Sequence, residues 1–224
     1  MNEEFIRIGK YLWQEGLVDS HGGDLSLRQG DKILITRRDA MLGDLKEGDI
    51  IEVGLEKGES DALVSREITT HRAIYRDVAS AQAIVHAHSP SAIAVSLTDN
   101  KIIPQDAEGL SSFKSAAIVR AHQAIGSDEV ARLVPSFLQG SSVVAVVKGH
   151  GSFAVGKNLE EAYRYTSSLE NSCRVLVAMR SSGGGRPPAP KEQPSPYNRS
   201  KPDNTRRSAI PPGIGVMDRS RYKR

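Results

Sequence analysis

Residues 83 to 90, Ala-Ile-Val-His-Ala-His-Ser-Pro, constrain this chain more than any other stretch. Ala83-Ile84-Val85 reads as a buried strand, Ser89-Pro90 ends it, and Ser91 to Ser96 reads as a helix. Successive side chains on a strand point to opposite faces, so a spacing of two sends His86 and His88 the same way, about 6 to 7 Å apart. One metal ion can bridge that gap. Two strand histidines that only hydrogen-bond fit an isolated His-x-His as well, so the choice rests on what else the chain supplies.

It supplies a third histidine and a carboxylate. Val143-Val144-Ala145-Val146-Val147 is the strongest buried strand in the sequence and runs into Lys148-Gly149-His150-Gly151, which puts His150 at a strand end too. Ser65-Arg66-Glu67 starts a helix running to about Val78, with Ser65 placed to cap its first turn and Glu67, Ile68, His71 and Tyr75 on one face. His71 is expected to be packed and hydrogen-bonded. Cys173 is the only cysteine, so no intramolecular disulfide forms and a metal site must use nitrogen and oxygen ligands. Three imidazoles with one open coordination position suit Zn²⁺ acting as a Lewis acid on a substrate oxygen.

The rest of the pattern supplies a scaffold. Phe5, Ile8, Leu12 and Trp13 form the apolar stripe of a helix over residues 3 to 15, closed by Gly16. Gly22-Gly23 turn the chain into an alternating strand ending near Arg28. Gln29-Gly30-Asp31 reads as a hairpin turn, Lys32 to Thr36 as the return strand and Arg37-Arg38-Asp39 as a loop. Residues 49 to 53 make a short strand and residues 102 to 109 a strand and loop. Ser127 to Leu138 reads as a helix that Pro135 shortens or kinks, and Leu159 to about Met179 as a long closing helix. The absence of a Walker-type loop and of a Gly-x-Ser-x-Gly elbow demotes phosphate-loop enzymes and serine hydrolases.

Composition divides the chain near Arg180. Residues 181 to 224 hold ten Lys or Arg against three Asp or Glu, a net charge of +7, and eight of the eleven prolines, while residues 1 to 180 carry −4. A folded domain over 1–180 and a largely disordered, basic, Pro/Gly-rich tail over 181–224 are therefore expected. The apolar island Ile210 to Met217 is a candidate for docking on a neighbouring subunit, and the basic tail allows loose nucleic-acid contact. With no apolar signal core and no apolar run of about 18 residues, the expected location is cytoplasmic, away from membranes.

The motifs resemble, in order and spacing, the class II aldolase and adducin head-domain family. The resemblance is carried by Gly22-Gly23-Asp24-Leu25-Ser26-Leu27-Arg28, Ile35-Thr36, Ser65-Arg66-Glu67 with His71 and Tyr75, His86-Ala87-His88, Gly149-His150-Gly151 and Leu159-Glu160-Glu161-Ala162. It covers roughly residues 3 to 178. It implies a three-layer α/β fold, a central mainly antiparallel sheet flanked by helices, assembled as a homotetramer. It also implies that His86, His88 and His150 bind one Zn²⁺ per subunit. Glu67 would act as general acid and base and touch the metal when substrate is absent. Gly23, Asp24, Arg38, Asp39, Ser65 and Arg66 would contact substrate. The implied reaction is retro-aldol cleavage of a small ketose or ketose phosphate through a metal-stabilised enediolate. Epimerase, dehydratase or decarboxylase chemistry and a non-catalytic adducin-like interaction module are the alternatives.

Three positions depart from the sugar-phosphate aldolases of that family, which typically carry Asn at Asp24, Gly at Asp39 and a second Ser at Arg66. Those loops cradle phosphate in the family, and an Asp there repels a dianion whereas Arg66 binds one. Two resolutions stand: Arg66 with Arg37 or Arg38 neutralises Asp24 and Asp39 for a neutral or singly charged substrate, or Arg66 takes over the phosphate.

Overall fold

Short strands of β-branched and small apolar residues build the centre of the computed structural model, which describes residues 2–183. They are β1 (Asp24–Gln29), β2 (Lys32–Thr36), β3 (Ile50–Gly54), β4 (Ala83–Ala87), β5 (Lys101–Ile102), β6 (Ala116–Val119), β7 (Val144–Val147) and β8 (Gly151–Gly156). They form one sheet in the order β3-β2-β1-β4-β8-β7-β6-β5, antiparallel throughout except for the parallel β6–β7 pair. Every residue of β4 is buried, as its sequence requires, because it lies between β1 and β8 with helices over both faces. Register places Asp24 opposite His86 on one side and Phe153 opposite His86 on the other.

The helices are α1 (Asn2–Gln14), α2 (Ile68–Asp77), α3 (Pro90–Thr98), α4 (Ala107–Ser112), α5 (Asp128–Leu133) and α6 (Leu159–Ser181). One sheet face packs Ile84, Val147, Phe153 and Val155 against Ile68, Ile74 and Tyr75 of α2 and Val130 of α5. The other packs Ala83, Val85 and Ala87 against Phe5, Ile8 and Leu12 of α1, and Val144, Val146 and Ala154 against Leu169 and Cys173 of α6. Each large side chain so buried contributes roughly 1.5 to 3 kcal/mol from area removed from water.

Capping residues locate the helix ends near the site. The Asn158 side chain accepts from Glu161 N–H at 2.8 Å to start α6, and Ser127 Oγ accepts from Val130 N–H at 3.1 Å to start α5. Helix α3 begins with Pro90 and has no side-chain cap of its own. Buried Glu170 of α6 serves instead, its Oε2 accepting from Ser91 N–H and Ala92 N–H at 3.0 Å each, a carboxylate at a positive helix end. This fixes the chain just after His88.

Several local readings change. Helix α2 starts at Ile68, so Ser65 lies in the preceding turn, where its Oγ accepts from Glu67 N–H at 3.1 Å, and Glu67 takes the N-cap position. Trp13 is not part of the α1 core stripe: it is 54% exposed and lies across Gly43. Between residues 102 and 109, β5 ends at Ile102 and α4 begins at Ala107, capped by Asp106, which accepts from Gly109 N–H at 2.8 Å. Strand β6 is short, and glycines at both ends of β8 disguise it as loop. Pro135 acts as expected: α5 stops at Leu133 and a 3-10 turn runs from Val134 to Phe137. The tail beyond Gly183, with its island at 210–217, lies outside the described residues. Among those described, no helix is long and apolar enough to cross a membrane.

Candidate metal centre

His86 is the fourth residue of β4, buried and stacked on Phe153 with ring centroids 4.3 Å apart. Its Nδ1 lies 3.0 Å from the Ser152 carbonyl oxygen. A carbonyl only accepts, so Nδ1 carries the proton and Nε2 keeps its lone pair free. His88 follows the strand end and brings its own Nε2 to 3.1 Å from that of His86. His150 occupies the turn between β7 and β8, where Gly149 adopts a left-handed φ of 72°. One nitrogen from each of the three rings lies within 4.8 Å of the others. Burial holds all three below the ordinary histidine value, His150 at about 4, so their lone pairs are available at neutral pH. Three neutral, convergent imidazoles with an orienting carbonyl fit a divalent transition metal.

Two glycines let the loops close on these rings. A Cβ at Gly22 would sit 2.5 Å from His88 Nδ1, and one at Gly151 would sit 2.5 Å from the Ala87 carbonyl oxygen and 3.0 Å from His88 Cδ2. Neither clash relaxes without moving the histidine pair.

Glu67 is 3% exposed, with Oε1 3.9 Å from His150 Nε2. Gly126 N–H donates to Oε1 at 2.7 Å and the Thr70 hydroxyl to Oε2 at 3.2 Å. Burial and then the Asp24 charge raise its pKa to about 7, against those hydrogen bonds.

Asp24 carries the clearest departure from expectation. It is buried in β1, accepts from the Ser65 hydroxyl at 2.7 Å through Oδ2, and has Oδ1 2.8 Å from His71 Nε2. His71 Nδ1 then lies 2.7 Å from Ser26 Oγ, which lies 2.7 Å from Tyr75 Oη. Burial opposes the Asp24 charge, yet His71, His86 and Ser65 together draw its pKa down to about 2. The arginines do not neutralise it. Arg37 pairs with Asp49 at 2.9 Å and Arg38 Nε donates to the Val64 carbonyl at 3.3 Å. The physical reason is competition: both arginines are taken up by partners in their own neighbourhood, and buried His71 is the group beside Asp24.

Gly23, Arg38, Asp39, Ser65 and Arg66 line a cavity of about 220 Å³ together with Asp24, Glu67 and the three histidines. Asp39 is exposed with φ of 58°, a left-handed conformation that Asp tolerates better than most residues. Arg66 is exposed, and its side chain makes no hydrogen bond or ion pair among the described residues. Gly126 and Ile125, which also meet the site, carry no sequence signal beyond a glycine before the Ser127 cap.

The model of the Class II Aldolase and Adducin N-terminal domain matches residues 3–177. An L-fuculose phosphate aldolase of Methanocaldococcus jannaschii is 31% identical over 175 residues, covering 78% of this chain and 94% of that protein. A methylthioribulose-1-phosphate dehydratase of Acidiphilium cryptum is 31% identical over 180 residues, covering 75% and 85%. The crystal structure of an L-fuculose-1-phosphate aldolase from Thermus thermophilus superposes with a TM-score of 0.78 at 30% identity, covering 84% of this chain and 97% of that one. The chain belongs to the class II aldolase and adducin N-terminal domain family.

Proposed function

We propose that this chain is a zinc-dependent aldolase that cleaves a small ketose or ketose phosphate into a dihydroxyacetone-type product and an aldehyde. The reading rests on one observation, the convergence of three imidazole nitrogens within 4.8 Å beside the Glu67 carboxylate. His86, His88 and His150 would hold the ion, and three nitrogen donors favour Zn²⁺ over Mg²⁺ or Ca²⁺. When bound, it supplies Lewis acidity toward the substrate's carbonyl and hydroxyl oxygens, of order several kcal/mol.

The chain's own residues do the rest. The Ser152 carbonyl fixes the tautomer of His86. Gly126 N–H and the Thr70 hydroxyl orient Glu67, which moves the proton on the carbon left nucleophilic when the carbon–carbon bond breaks. Its burial keeps competing water away. Gly23, Asp24, Arg38, Asp39, Ser65 and Arg66 form the substrate wall, with Asp24 and Ser65 acting largely on each other. The homotetramer and the cytoplasmic location belong to this proposal on the strength of family resemblance alone. A second reading, dehydration of a ketose phosphate, is favoured by the dehydratase relative at 31% identity and reuses the same proton transfer.

The test is a panel of ketose 1-phosphates, 5-phosphates and free ketoses, run on zinc-loaded wild type and Glu67→Gln with products identified. An aldehyde released by wild type and strongly reduced in Glu67→Gln supports aldol cleavage, and loss of water without cleavage selects the dehydratase. A purified chain without stoichiometric metal that cannot regain it overturns both.

A further inference from the structure

Most hydrogen-bond donors on the cavity wall are already committed. Ser65 has a single hydroxyl proton, donated to Asp24 Oδ2 at 2.7 Å, and its oxygen accepts from Glu67 N–H at 3.1 Å. The other Asp24 oxygen is held by His71 Nε2 at 2.8 Å, so this buried pair is closed upon itself. Arg37 is paired with Asp49 at 2.9 Å, and Arg38 bonds to the carbonyl oxygens of Val64 and Asp61 at 3.3 and 3.5 Å. Arg66 alone among the described lining arginines has its whole guanidinium fork free. Exposed Asp39, elsewhere on the lining, makes no ion pair or hydrogen bond either.

We propose that Arg66 anchors a singly charged carboxylate at the non-reacting end of the substrate, and that Asp24 and Asp39 turn away a phosphate monoester. A guanidinium gives a carboxylate two parallel N–H···O bonds, and one charge matches one free cation. A phosphate monoester carries about −1.5 to −2 at neutral pH. Beyond the metal ion, which either anion would share, it would meet one unpaired cation, the carboxylates of Asp24 and Asp39, and a serine with no proton left to donate. Like charges lining one cavity disfavour the more highly charged ligand. The substrate class that follows is a small ketose that carries a carboxylate, a keto-hydroxy acid, rather than the sugar phosphate for which the similar proteins are named. This rests on the aldolase reading for the identity of the reaction, but not for the anion it binds.

The test is therefore binding without turnover. The full-length, zinc-loaded chain is titrated by calorimetry with propionate and with ethyl phosphate, matched in carbon skeleton, in wild type, Arg66→Ala, Asp39→Asn and Asp24→Asn. Wild type is expected to bind propionate about tenfold more tightly than ethyl phosphate, and Arg66→Ala to lose about tenfold for propionate. Asp24→Asn and Asp39→Asn each remove one negative charge from the lining. Each is expected to raise ethyl phosphate affinity several-fold, a gain that a merely structural role would not produce. Asp39→Asn leaves the buried Asp24–His71 pair intact and carries the charge argument if Asp24→Asn fails to fold. Wild type that binds ethyl phosphate as well as propionate, undetectable propionate binding, or an Arg66→Ala chain with unchanged propionate affinity overturns the proposal. Missing aldolase activity leaves this result standing, and the converse holds as well.

Discussion

The two faces of β1 and β4 carry opposite chemistry on the same backbone. Asp24, Ser26, Ile84 and His86 face α2, where the chain Ser65, Asp24, His71, Ser26, Tyr75 links polar atoms at 2.7 to 2.8 Å. Leu25, Ala83, Val85 and Ala87 face α1 and α6 and pack among Phe5, Leu12 and Leu159. A period of two lets one strand be both cavity wall and core. The polar face survives burial because its members bond one another, whereas an orphaned polar group there costs about 1 to 3 kcal/mol. The apolar face carries the stability that holds the polar one in place.

If the division of labour is real, substitutions on the two faces separate activity from stability. The largest effect belongs to His86→Ala, which is expected to lower both zinc content and cleavage, the latter by more than about 10³-fold, the rate equivalent of several kcal/mol. Metal analysis beside a cleavage assay checks this, and full activity in the variant would break the comparison outright. Next, Glu67→Gln is expected to lower kcat about 10² to 10⁴-fold while zinc stays bound. On the opposite face, Leu25→Ala removes a fully buried side chain and is expected to destabilise by about 2 to 5 kcal/mol. Its zinc content and kcat well below the melting temperature should match wild type, and lost zinc would show that the faces cannot be separated.

Acid sharpens the same contrast. In the metal-free protein His150 has a pKa of about 4, against about 6.5 for an ordinary histidine, with His86 and His88 also held low by burial. Between those values the unfolded chain binds more protons than the folded one. The contribution is therefore complete above pH 6.5 and lost as pH falls toward 4, on the order of 3 kcal/mol for His150 alone. Denaturant melts of metal-free wild type and His150→Asn across that range should converge at low pH, and parallel curves would argue against a buried neutral ring. The smallest effect is Ser26→Ala, which breaks the link between His71 and Tyr75 and should cost about 1 to 3 kcal/mol by urea titration.

The pieces of the site were legible in the sequence wherever they depended on local period and turn chemistry. His86 and His88 were readable as a pair from a spacing of two, His150 from its place after a buried run, and the scaffold helices from apolar stripes and caps. Helix α2 begins later than Ser65 suggests because residues 65–68 form a turn closed by Ile68 N–H to the Ser65 carbonyl before the helix starts, although Ser65 Oγ still accepts from Glu67 N–H. Strand β6 escapes the pattern because it has only four residues, and six-residue β8 because the glycines at its ends locally signal a turn.

By itself, then, the sequence determined which side chains could take part: three imidazoles at strand ends, a carboxylate at a helix start, and acids and arginines in the loops. Which of them act on each other was decided by tertiary structure. Antiparallel register set Asp24 opposite His86, and packing of α2 on the sheet gave Asp24 to His71 rather than to an arginine. The same packing brought Gly126 N–H onto Glu67 and left Arg66 unpaired. The reason is that local backbone preference fixes only where a side chain points, whereas its partner depends on strand register and layer packing between residues far apart in sequence.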